Sequence, residues 1–172
     1  GHYLGSEDVA SVALFGSQIS RVHWPLKVPL VEWGARFVLK RFAHISGSRF
    51  KRGPEDEPIG LALESMRWFG LFKRFGDKER NWWSGLSEVQ VPVLAVAAAA
   101  DEQDPPWACR VLSEQFGSAQ RQFVCLGRAQ GFSDDFGHVE MLVSKSAQTQ
   151  VWPMVVSWLR DQTRSEERRV GK

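Results

Sequence analysis

Hydrophobic positions divide the chain into three regions of different character. Val9 to Phe15 (VASVALF) is a short, valine-rich apolar run that stops at Gly16-Ser17. It lacks strict alternation, so it predicts a strand buried on both faces, as in a parallel sheet. From Ile19 to about Glu88 the period lengthens. Leu30, Trp33, Phe37, Val38 and Phe42 recur at helical spacing with Arg36, Lys40 and Arg41 between them, and Ile59 to Phe75 predicts a second amphipathic helix with Gly76 as its C-cap. Between them lies a Gly/Pro- and acid-containing loop. No segment of this region reads as a strand, so it is expected to be a helical insertion.

Beyond Val89 the short period returns. Val91 to Ala97 (VPVLAVA) predicts a buried strand whose proline sits near its start. Pro105-Pro106-Trp107 opens a helix through Phe116, closed by Gly117, with Asp104 as its expected N-cap. Gln122 to Leu126 predicts the next strand, Gly127 to Gly137 a loop, and Trp152 to Gln162 the last helix. Strand, helix, strand, loop, helix is the ordering of an α/β fold with a parallel sheet. The expected organisation is therefore a core strand and turn over 1–18, a helical insertion over 19–88, an α/β core over 89–162, and a solvated, disordered tail over 163–172, foreign to the fold.

Composition adds little. An apolar share of 43% suits a globular protein, and a net charge of +2 over 172 residues demands neither a nucleic-acid nor a membrane partner. The longest apolar run, Val91 to Ala100, is about half of the roughly 20 residues needed to span a bilayer. The two cysteines, Cys109 and Cys125, fall on separate elements and read as reduced core thiols, which favours a cytoplasmic setting. No Cys/His cluster suggests a metal, and no motif suggests a cofactor. The chain opens on Gly1-His2-Tyr3-Leu4-Gly5 rather than on methionine, which reads as a fragment.

Two positions carry candidate chemistry. Asp101 follows a buried strand, in Asp101-Glu102-Gln103-Asp104-Pro105. His138 follows the next strand, in the loop Gly131-Phe132-Ser133-Asp134-Asp135-Phe136-Gly137-His138. Loops at the carboxyl ends of parallel strands converge on one rim of the sheet, so an aspartate and a histidine placed this way can meet. Read alone, each has a plainer account: a turn aspartate and a solvated loop histidine. Asp134 and Asp135 are too near His138 in sequence to reach its distal ring nitrogen and are taken as loop solvation. Ser17 is taken as a turn residue, and His2, His23 and His44 have no partner pattern.

VPVLAVAAAAD, the proline-opened helix, the strand, GFSDDFGHVEML and the closing Trp158-Leu159 together resemble the last third of an α/β-hydrolase. The resemblance implies a C-terminal part of a doubly wound, mostly parallel sheet with a lid over 19–88. It implies Asp101 as the orienting acid and His138 as the general base of a Ser-His-Asp mechanism on an ester or related acyl bond, without cofactor or metal. A serine hydroxyl is a poor nucleophile near neutral pH; it needs an imidazole to take its proton and a carboxylate to fix that imidazole. The nucleophile motif G-x-S-x-G is missing from the chain. Tyr3 stands where that serine would be in Gly1 to Gly5, but no strand precedes it, so nucleophile and oxyanion hole are expected outside this sequence and the chain alone is expected to be inactive. The substrate implied is a small or lipid-like ester of the lysophospholipase or monoacylglycerol kind, with lid aromatics such as Trp33, Phe37, Trp68 and Trp82 lining an acyl pocket or only packing the lid. The alternatives are a non-catalytic hydrolase-like binding scaffold and a small peripheral membrane protein resting on the basic helices.

Overall fold

The structure, a computed structural model, describes residues 9–19, 28–46, 55–69, 75–77 and 79–170. It comprises two compact units: one of Gly1–Ser20 with Trp83–Lys172, the other Arg21–Trp82.

The first unit is built on three parallel strands. β1 (Val12–Phe15), β4 (Val93–Ala98) and β5 (Arg121–Leu126) are ordered β1-β4-β5, with β4 in the centre. β1 runs beside β4 from Val12↔Val93 to Phe15↔Val96, and β4 beside β5 from Val93↔Arg121 to Ala98↔Leu126. All six residues of β4 are buried, as expected of a wholly apolar run flanked on both edges and both faces. Pro92 precedes the strand, where its missing N–H costs no ladder bond, and its carbonyl accepts the N–H of Val12.

Alternation along β4 sends its side chains to two cores. Leu94, Val96 and Ala98 join Leu126, Phe136, Met141, Ala147, Val151 and Val155 in one continuous cluster. This cluster seats α5 (Glu140–Val143) and α6 (Trp152–Val170). Val93, Ala95 and Ala97 point the other way, towards α4 (Pro106–Ser113), which buries Ala108, Cys109 and Leu112. The face is fixed by Phe123, the register partner of Ala95, whose ring lies 4.1 Å beneath the Arg110 guanidinium of α4.

Two features of this unit depart from the sequence reading. The final helix continues to Val170, beyond Gln162, so the stretch expected to be a disordered tail is helical through that residue. Its run lacks apolar periodicity but is dominated by Arg and Glu, good helix formers, with no proline or glycine before Gly171 to stop it. A one-turn π-helix, Ala147–Val151, leads directly into α6.

The second unit contains α1 (Pro29–Leu39), β2 (His44–Ile45), β3 (Glu57–Pro58) and α2 (Ile59–Phe69). β2 and β3 pair antiparallel, His44↔Pro58 and Ile45↔Glu57, which corrects the expectation of a region without strands. Two residues per strand are too few for period-2 alternation to show. α2 buries Ala62 and Met66. It is described over Ile59–Phe69, residues 70–74 of the expected helix lying outside the described residues, and Gly76 forms a bridge with Asn81 instead of capping a helix. Trp68, Phe75 and Trp82 stack edge-to-face in a three-ring cluster, with centroids 5.5 to 6.4 Å apart. α1 has no buried residue, and Leu30, Trp33 and Phe37 are exposed. The sequence expectations for Tyr3, His2, His23, Trp24 and Phe72 fall outside the described residues.

Candidate functional site

The site lies past the carboxyl ends of the parallel strands. After β4 the chain turns sharply: the Asp101 N–H donates to the Ala98 carbonyl at 3.1 Å. The Asp101 carboxylate then organises the residues that follow. Its Oδ1 accepts the backbone N–H groups of Gln103 and Asp104, each at 2.9 Å, an aspartate turn of ordinary kind. That leaves Oδ2, buried with the rest of the side chain, directed at His138. The Nδ1 to Oδ2 separation is 2.7 Å.

His138 reaches this point from a loop tied down in several places. Phe136 is 2% exposed in the main cluster and meets Phe132 edge-to-face. Its carbonyl accepts the N–H of Ala100, the residue before Asp101, at 2.9 Å. Asp135 Oδ1 accepts the N–H of Arg128 at 2.8 Å across the base of the loop. Gln150, on the π-helical turn, accepts the Ser133 N–H at 3.0 Å and donates to the Ser133 hydroxyl at 2.8 Å. Asp134 accepts the Ser133 hydroxyl at 2.9 Å, and hydrogen bonds from Ser146 and Ser133 hold its carboxyl below the usual range. Asp134 and Asp135 therefore serve the loop rather than the imidazole. Ser17 is a turn residue, its hydroxyl donating to the Phe15 carbonyl at 3.1 Å.

Gly16 forms part of the surroundings of the imidazole and was not singled out by the sequence reading. It ends β1 with φ +50°, and a Cβ built there would stand 2.7 Å from Met141 Cε, 3.0 Å from His138 Cε1 and 3.1 Å from His138 Nδ1. The position needs glycine twice over, for its left-handed backbone and for the ring beside it. A glycine closing the first strand on the rim where Asp101 and His138 converge was the available signal.

Asp104 is the main correction. It does not cap α4: the N-cap is Pro105, and no side chain bonds the helix start there. Instead Asp104 Oδ1 accepts Gln18 Nε2 at 2.9 Å, and Oδ2 lies 3.5 Å from His138 Nδ1. A contact made from Gln18 leaves no trace in the local sequence.

The chemistry follows from donors and acceptors. An ionised carboxylate can only accept, so the short contact puts the proton on Nδ1 and leaves the Nε2 lone pair as a base. The ring is 35% exposed while the Asp101 side chain is fully buried, so the imidazole can be reached from solvent and its partner cannot. Asp101, Asp104 and His138 offer three ligand atoms within 4.8 Å of one another. A metal would need Nδ1 bare, whereas the bond to Asp101 requires it protonated. Cys109 is no rival nucleophile: burial, then the charges of Asp104 and Asp101, push its thiol up to about 12. Cys109 and Cys125 are both free. Among the described residues, no helix is long and apolar enough to cross a membrane.

No protein-family model matches the chain, and no curated protein does. Solved structures do. A monoacylglycerol lipase of Paleococcus ferrophilus aligns at TM-score 0.55 and 13% identity, over 94% of this chain and 63% of its own. A Mycobacterium tuberculosis H37Rv protein, BpoC, described as a non-heme bromoperoxidase, aligns at TM-score 0.53 and 12% identity, over 94% of this chain and 62% of its own. The chain thus spans less than two thirds of the length of these structures. With an open parallel sheet, helices against it and this likeness, the chain has the α/β-hydrolase fold over the stretch it covers.

Proposed function

We propose that this chain is the acid- and base-bearing C-terminal part of a serine hydrolase acting on an ester or related acyl bond. One observation carries the reading: a fully buried Asp101 carboxylate 2.7 Å from Nδ1 of a partly exposed imidazole, both on loops after adjacent parallel strands. In this reading His138 Nε2 takes the proton of a serine supplied by sequence outside the chain. Asp101 holds the ring and stabilises its cation, and an acyl-enzyme forms. Water attacks that intermediate with His138 again as base. Support for an outside nucleophile is the lack of G-x-S-x-G in the chain and its span of under two thirds of similar structures. The helical insertion is then the lid, and the substrate a small or lipid-like ester. The free thiols suit a cytoplasmic protein.

The experiment compares the chain with its extended parent. The chain alone should not hydrolyse p-nitrophenyl esters above an imidazole background. The parent should hydrolyse them and be labelled by a serine-directed fluorophosphonate. Turnover by the isolated chain, or a parent neither active nor labelled, would refute the reading.

A further inference from the structure

Two carboxylates, not one, face the same nitrogen of His138. Asp101 Oδ2 lies at 2.7 Å and Asp104 Oδ2 at 3.5 Å. The first is an ordinary charge-assisted hydrogen bond; the second is beyond hydrogen-bond range. Asp104 is nevertheless firmly placed. Its N–H donates to Asp101 Oδ1 at 2.9 Å, its carbonyl accepts the Cys109 thiol at 3.2 Å, and its Oδ1 accepts Gln18 Nε2 at 2.9 Å. The Gln18 contact uses one carboxylate oxygen and turns the other towards the ring. The two acids differ in setting: the Asp101 side chain is fully buried, that of Asp104 is 25% exposed.

We propose that Asp104 is a positioning residue, a reserve acceptor for the Nδ1 proton of His138, which holds the ring in its base-competent tautomer when the bond to Asp101 is lost. This rests on Asp101 and His138 being acid and base, but its mechanism is local. Replacing Asp101 by asparagine shows why a reserve matters. The asparagine oxygen can keep the N–H groups of Gln103 and Asp104, which leaves its NH₂ group facing Nδ1. Two donors cannot bond, so the imidazole would move its proton to Nε2 and lose its lone pair there. Asp104 Oδ2 needs to close by less than about 1 Å to accept the Nδ1 proton at an ordinary hydrogen-bond distance. A small rotation of the ring or the carboxylate covers that.

The test is the proton position in the ¹⁵N-labelled 172-residue chain, read from long-range ¹H–¹⁵N spectra of the imidazoles, with His138→Gln assigning the signals. Asp101→Asn should keep the proton mainly on Nδ1, and Asp101→Asn/Asp104→Asn should shift it to Nε2. Asp101→Asn switching as fully as the double variant would overturn the proposal. Asp104→Asn with Asp101 intact provides a second reading that does not depend on how the Asp101 variants fold. It should displace the downfield Nδ1–H resonance; an unmoved resonance counts against a second acceptor. The spectra need no nucleophile and no substrate, so an inactive parent with these shifts present would refute the hydrolase reading and leave this one standing.

Discussion

Ala100 and Phe136 are joined backbone to backbone, N–H to carbonyl at 2.9 Å. That bond stitches the turn carrying Asp101 to the loop carrying His138. With it, the separation of Asp101 and His138 is set by main chain and by a buried ring rather than by two independent loops.

Phe136→Ala should therefore do more than empty a cavity. The ring is 2% exposed within the main cluster. Truncation of such a ring typically costs about 3–5 kcal/mol. Urea unfolding should show a loss of that size. In the folded variant, His138 Nδ1–H should exchange faster than in the wild type.

Gly16→Ala should destabilise by roughly 1–2 kcal/mol from the left-handed backbone alone. Its Cβ would also press on Met141 Cε and the His138 ring. The expected outcome is a lowered Tm together with shifted His138 ring resonances. Gly131, also at positive φ but with open space around a built Cβ, provides the contrast. Gly131→Ala should cost similar stability and leave those resonances in place.

These two positions show how the sequence was legible and where it was not. The central strand could be read because VPVLAVA is an apolar run with a proline near its start, giving way through three alanines to Asp101. The meeting of Asp101 with His138 could be read because each follows a strand in a parallel order. Gly16 and Asp104 could not, since what defines them is a neighbour far along the chain: the His138 ring for one, Gln18 for the other. Asp104 resembled a helix cap by position, yet Pro105 takes that place with extended backbone of its own. β2 and β3, of two residues each, are too short for an alternation to show. α6 runs past the expected Gln162 because polar helix formers continue a helix without any apolar stripe to mark it.

Removing the loop clamp should have a smaller, local effect. Gln150→Ala deletes both bonds to Ser133. At a solvent-accessible site the expected cost is about 1 kcal/mol. Amide exchange should rise across residues 128–136 and stay unchanged in β4.

Cys109 gives a pH dependence with a defined sign. Burial, then the charges of Asp104 and Asp101, raise its thiol from the usual 9.0 to about 12. The folded protein then holds a proton that the unfolded chain releases. Stability from this group is complete below pH 9, falls as pH rises from 9 towards 12, and levels off above. Cys109→Ala should flatten that alkaline decline in urea titrations while lowering stability at pH 7. Thiol reagents should react with folded Cys109 far more slowly than with the unfolded chain at pH 8.

The central claim is that His138 is the base. It is tested most directly by kcat/KM of the extended parent on a p-nitrophenyl ester, before and after His138→Ala. Removing the base should cost on the order of 10⁶-fold, as loss of the histidine does in a well-studied serine hydrolase. A His138→Ala parent that keeps activity within about tenfold of the wild type, a difference worth only 1.36 kcal/mol of barrier, would contradict the account.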